Sequence, residues 1–312
     1  MKTEETLQRL TCHLNQVNNL VGDADALQLA EKILQLKPRN RATLEKIMGI
    51  FLDNKCIAEA RETMNLLAGY YSHKPYWYVF KANIAYLENN YAVAMKEAKD
   101  GLSESEMENW QRALLYAIMG KIYLSWGEAE QAMKVYLASC RLLGTSSACS
   151  EYSNAIFSAH YLEMPQQDVL TMTKGYEKLL TDITPYQHTN KRQHDKIRVG
   201  YVSPDFSKSV VTIFCMCMFA GYDKSRFAVY VYAKCAEDYV SIEIKKSVDV
   251  WRNIISLSHQ EAAEVIYNDE IDILFDVSGH TGDSCLPVMA YKPAPVQLSG
   301  IGWFDTTGLS TI

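Results

Sequence analysis

Residues 196–214 read KIRVGYVSPDFSKSVVTIF: an apolar run, a polar turn, and a second apolar run. The first run has the near-continuous apolar character of a strand buried on both faces, and Ser209 to Tyr222 suits the helix that would cover it. The pattern then recurs. RFAVYVYAK (226–234) reads as a strand, SLSHQEAAEVIYND (256–269) as a helix with a serine cap, and IDILFDVSG (271–279) as a strand. A short helix over SCLPVMAY (284–291) and a last strand, APVQLSGIG (294–302), follow. Such alternation predicts a parallel sheet covered by helices, with right-handed crossovers that bring every strand's carboxyl end to one edge. Ligands of open α/β sheets bind beyond that edge. Three turns should meet there: Ser203 to Val211, Ser278 to Asp283, and Gly300 to Gly308.

Upstream, the texture is different. Through about residue 178 the apolar positions recur at three and four, as in ALQLAEKILQL (26–36) and EQAMKVYLASCRLL (130–143), and Pro38, Gly127 and Gly144 fall where helices should stop. Four of these segments align on Ala26, Ala60, Ala94 and Ala132, at separations of 34, 34 and 38 residues. Thirty-four is the tetratricopeptide period, in which a small residue early in the second helix lets two helices pack closely. A generic helical bundle is the alternative. The expected organisation is therefore a tetratricopeptide-like α-solenoid over 1–178, a polar linker over 179–195, and a Rossmann-like α/β lobe over 196–312. In the linker, His188 and His194 lack metal-ligand spacing and read as solvated.

Bulk composition narrows the function. A net charge of -6 and a pI near 5.7 argue against a surface that tracks nucleic-acid phosphates. The amino-terminal MKTEETLQRL lacks the apolar core of a signal peptide, and Val210 to Ala220 is about half the length a membrane span requires. Eight scattered cysteines without a CxxC pair read as reduced thiols, so a cytoplasmic protein is expected.

RVGYVSPDF (198–206), ILFDVSGHTGDSCLPVMAYKPAPVQLSGIGWFDTTGLS (273–310) and the repeats ahead of them resemble the O-linked N-acetylglucosamine transferase/SPINDLY family, glycosyltransferase family 41, over almost the whole chain. The resemblance implies a two-lobed GT-B enzyme whose helical repeats recruit protein substrates. It implies transfer, with inversion, of N-acetylglucosamine from UDP-GlcNAc to serine or threonine, without a metal or other cofactor. SPINDLY relatives use fucose from GDP, and related bacterial enzymes glucosylate asparagine. The only Asp-x-Asp, Asp23 with Asp25, reads as helix-start acids, in keeping with metal independence. Relatives continue past the equivalent of TTGLSTI into a donor-binding lobe, so these residues are expected to form part of one wall of a cleft and to be inactive alone. The competing expectation is a non-catalytic tetratricopeptide scaffold with a relic α/β segment.

The resemblance also marks positions. Family members commonly place a histidine where Ser209 stands, so Ser209 is either a catalytic-position remnant or a plain helix cap. His280, expected to be partly exposed on the cleft edge, either positions acceptor or diphosphate or stabilises its turn. Val210 and Val211 fall where the family lines its sugar pocket, and core packing explains them equally well. Thr281, with Ile301, Gly302 and Trp303, is matched to substrate and donor contacts; Gly302 would let the backbone approach the donor, and relatives often show Tyr-Pro at Trp303-Phe304. Thr306 and Thr307 read as a cap for a following helix and secondarily as phosphate ligands. Asp205 and Asp276 read as acceptors of backbone N–H groups in their own turns. The aromatic GYYSHKPYWYVF (69–80) reads either as repeat core or as a peptide groove.

Overall fold

The computed structural model describes residues 2–16, 24–71, 74–188 and 194–312; Asp23 of the Asp-x-Asp pair lies outside them. The chain divides into two compact units, Met1–Leu143 and Gly144–Ile312.

In the first unit the described residues form α1 (Lys2–Gln16), α2 (Ala24–Gln35), α3 (Arg41–Asp53), α4 (Ile57–Tyr71), α5 (Tyr76–Leu87), α6 (Tyr91–Leu102), α7 (Asn109–Ser125) and α8 (Ala129–Leu143). Each packs on its chain neighbour, giving a solenoid of stacked helix pairs. Ala26, Ala60, Ala94 and Ala132 sit near the starts of α2, α4, α6 and α8, every second helix, and none is more than 1% exposed. Between α7 and α8 the closeness is carried to its limit: a Cβ on Gly120 would lie 2.5 Å from the Tyr136 ring. Asn40 and Asn90 cap α3 and α6 by accepting the backbone N–H three residues on. The aromatic stretch around 70–80 is mostly interior. Tyr71 and Phe80 are buried and meet Tyr76 edge-on or tilted, while Tyr70 remains exposed.

The second unit is built on β1 (Ile197–Ser203), β2 (Phe227–Ala233), β3 (Val250–Asn253), β4 (Ile273–Asp276) and β5 (Val296–Ser299). They form one all-parallel sheet in the order β3-β2-β1-β4-β5. The order reverses between β1 and β4, which makes the mouth between them a topological switch point. Helices α11 (Val210–Ala220) and α12 (Tyr239–Ser247) close one core over the sheet, centred on Phe206, Phe219, Val231 and Ile244. The opposite core joins α13 (His259–Asn268) and α14 (Leu286–Ala290) to Val202, Tyr232 and Leu274.

That second core also takes in α9 (Cys149–Ala159), and the 3₁₀ turn Gly175–Leu180 that follows α10 (Gln166–Lys174). Cys149, Ile156, Tyr176 and Leu180 share it with the strands. The helical residues 144–178, expected to continue the repeats, thus pack as a layer of the sheet unit.

Two more expectations change. The sequence reading passes over α12 and β3, because VWRN is four residues long and ends in an exposed arginine and asparagine. The described linker residues are docked on the sheet unit. Tyr186 donates its N–H to the Tyr291 carbonyl at 2.7 Å and stacks on Tyr267. His188 Nε2 meets the Lys292 carbonyl at 2.8 Å. His194, with a side chain only 10% exposed, reaches Asp272 at 3.1 Å and Glu270 at 3.0 Å. These histidines hold the strap in place, so the solvated reading is corrected. Among the described residues no helix is long and apolar enough to cross a membrane, and no cluster of three or more His, Cys, Asp or Glu could hold a metal. All eight cysteines are free thiols, four of them buried.

Candidate active site

All five strands run parallel, so the turns after β1, β4 and β5 do meet at one edge. In the turn after β1, Ser209 is the N-cap of α11. Its hydroxyl accepts the Thr212 N–H at 3.1 Å and donates to the Asp205 carbonyl at 2.9 Å. The residue that organises this turn is therefore Asp205 through its main-chain oxygen, which also takes the Ser207 N–H and the Thr212 hydroxyl. Its carboxylate, expected to hold backbone N–H groups, is instead paired with Ser203, and burial pushes its pKa up. Val210 stands 70% exposed beside this turn, whereas Val211 is half-buried against the α11 core.

After β4 the buried carboxylate of Asp276 does gather local donors. It accepts from the Ser278 hydroxyl and the Gly279 N–H, each at 2.8 Å, and from Ser299 at the end of β5 at 2.7 Å. One side chain thereby binds two of the three edge turns together. Thr281 donates its hydroxyl to the Ser278 carbonyl at 2.8 Å.

His280 departs from its expected exposure. It is 1% exposed, with Nδ1 2.9 Å from the Ser153 hydroxyl of α9 and Nε2 2.9 Å from the Thr307 carbonyl. Tyr176 and Trp303 stand edge-on to its ring. Burial lowers its pKa to about 4, so the ring is neutral at physiological pH. A carbonyl can only accept, so Nε2 carries the hydrogen and Nδ1 accepts from Ser153. With both nitrogens engaged, His280 locks the turn after β4 to α9 and to the chain after β5.

Trp303 is likewise interior, 3% exposed, with its indole N–H donated to the Thr306 carbonyl at 3.1 Å. The exposed large apolar members of its loop are Ile301 and Phe304. Gly302 serves a close approach, but an internal one: a Cβ there would lie 2.3 Å from the Val277 carbonyl oxygen. Thr306 and Thr307 accept the N–H groups of Gly308 and Leu309, turning the chain without a helix after them among the described residues.

Sequence reasoning missed Ser153 and Tyr176, which lie in segments assigned to the repeats. It also missed His160, whose Nε2 stands 3.6 Å from the Asp305 carboxylate and whose ring meets Trp303 and Phe304 edge-on. No local motif marks them, because only the packing of α9 on the sheet brings them to the edge.

Residues 174–312, which contain all three turns, match the model of glycosyl transferase family 41. That match covers 139 residues, a little under half of the chain. Among similar proteins, a probable UDP-N-acetylglucosamine–peptide N-acetylglucosaminyltransferase SPINDLY of Oryza sativa subsp. japonica is 30% identical over 169 residues, covering 51% of this chain and 18% of that protein. The Arabidopsis thaliana protein of the same description is 34% identical over 121 residues, covering 37% and 13%. An O-GlcNAc transferase mutant of Thermobaculum terrenum superposes with a TM-score of 0.65 at 19% identity, over all of this chain and 53% of that one. The last is a likeness of fold. The chain thus spans about half of that solved chain, and its matches span less than a fifth of the plant proteins. Within the family 41 segment, the match includes His280, Trp303 and the Asp276 network.

Proposed function

We propose that the chain works in a protein O-glycosyltransferase that moves N-acetylglucosamine from UDP-GlcNAc to serine or threonine. In this reading the sheet's carboxyl edge is one wall of the cleft, a donor-binding lobe supplies the other, and the helical repeats present the protein acceptor. The observation that carries the reading is the meeting of three turns at a parallel-sheet switch point within the family 41 segment. Ile301, Val210 and Thr281 are the edge residues placed to face substrate. The buried His280 and Trp303 position the turns that bear them, and Ser209 holds the start of α11. No metal takes part. Charge on the departing diphosphate is met by cationic groups of the opposite lobe. The enzyme acts in the cytoplasm, on proteins and not on nucleic acid or membranes.

One observation favours a second reading, a non-catalytic scaffold: the two positions matched to a catalytic role are both otherwise engaged, Ser209 as a cap and His280 by two hydrogen bonds. Radiolabelled UDP-GlcNAc separates the two. The chain alone is expected to transfer no label, and the chain supplied with a donor lobe is expected to label acceptor protein in a linkage released by β-elimination. Donor binding without any transfer would favour the scaffold.

A further inference from the structure

Beside the carboxyl ends of β2 and β4 lies a cavity of about 220 Å³. Its lining draws Lys234 from the end of β2, His259 from the first position of α13, Thr281 from the turn after β4, and Ser146 and Ser150 from the start of the α9 segment. A lysine and an ionisable histidine from distant parts of the chain thus share one small space. The surrounding protein, and after it the charge of Lys234, holds the His259 pKa below its ordinary value. The neutral ring is therefore favoured until a negative group stands beside it.

No side chain caps the start of α9 or of the 3₁₀ turn Ser146–Ala148 that leads into it. Glu151, in the first turn of α9, offsets part of the partial positive charge of that helix end. Ser146 and Ser150 are exposed on the lining. Asp283 is the one carboxylate among the described residues of the lining, and its carbonyl oxygen takes Lys234 Nζ at 3.0 Å, fixing the lysine. The volume lies below the roughly 300 Å³ at which sites for drug-sized molecules begin, which is too small for a nucleotide sugar and ample for one acidic group.

We propose that this cavity is a binding site for a small oxyanion, a phosphoryl or carboxylate group, clamped between Lys234 and His259 at the uncapped start of α9. The cavity shares Thr281 with the substrate-facing edge, and its test needs no sugar transfer. Sulfate, whose charge is constant over the range used, is titrated into the chain at fixed ionic strength while the His259 imidazole is followed by NMR. A saturable shift and a rise in the His259 pKa are expected, because a bound anion favours imidazolium. Lys234, Tyr176, Cys149 and Asp283 are the other titratable groups on the lining. Lys234→Met should weaken sulfate roughly tenfold or more, the loss of one charge-assisted hydrogen bond. Asp283→Asn should tighten it, and His259→Gln should weaken it, each with an unchanged melting temperature as the folding check. Parallel titrations with inorganic phosphate and acetate distinguish the two sources of the group: tighter phosphate marks a phosphoryl ligand, tighter acetate a carboxylate. No saturable shift with any of the three probes, or an unaltered affinity in folded Lys234→Met, overturns the proposal.

Discussion

Ser153 of α9 donates its hydroxyl to Nδ1 of His280 at 2.9 Å across 127 residues of sequence, and both side chains are buried. Ser153→Ala leaves a buried ring nitrogen without its donor, which should cost about 1–3 kcal/mol. Urea unfolding of the second unit measures it, and a loss well under 1 kcal/mol would contradict the tautomer assigned to His280.

The same ring sets a pH dependence. Its pKa is about 4 in the folded chain against 6.5 when free, so between those values the unfolded chain binds more protons. The stability that His280 contributes is whole above its free value and is lost as pH falls toward 4. Melting temperatures followed downward from neutral pH should fall more steeply for the natural chain than for His280→Gln.

Ser209→Ala removes the N-cap of α11 and should cost about 1 kcal/mol, whereas Ser209→Gly should cost only a few tenths. If capping is its whole role, transfer in the presence of a donor lobe will be nearly unaffected. A large fall in rate at unchanged stability would instead give the hydroxyl a place in the chemistry.

The repeat alanines make a sharper case for the solenoid. Ala94→Leu forces three extra carbons into a fully buried contact and should destabilise the first unit by about 1–3 kcal/mol. Ala92→Leu, two residues earlier on the exposed face of the same helix, should change stability little. Thermal unfolding monitored by circular dichroism compares the two.

β1, β2, β4, β5, α11, α13 and the repeat alanines are legible because each depends on local periodicity or on a cap adjacent in sequence. Asp276 was legible for the same reason, since Ser278 and Gly279 lie within three residues of it. His280 was not. Its flanking glycine and threonine suggested an exposed turn, but its exposure is decided by Ser153, Tyr176 and Trp303, which tertiary packing alone brings together. Lys234 had a usable signal: it follows a strand whose carboxyl end must reach the same edge as the others.

Because Cys149, Ile156, Tyr176 and Leu180 share a core with Val202 and Leu274, the place to sever this chain is Gly144 and not the polar stretch ahead of Lys196. A piece begun at Lys196 would strip a greasy flank from the sheet and cast His280 adrift from its serine. One begun at Gly144 keeps both, and is the portion to carry into crystallisation or into grafting onto a foreign recruitment arm.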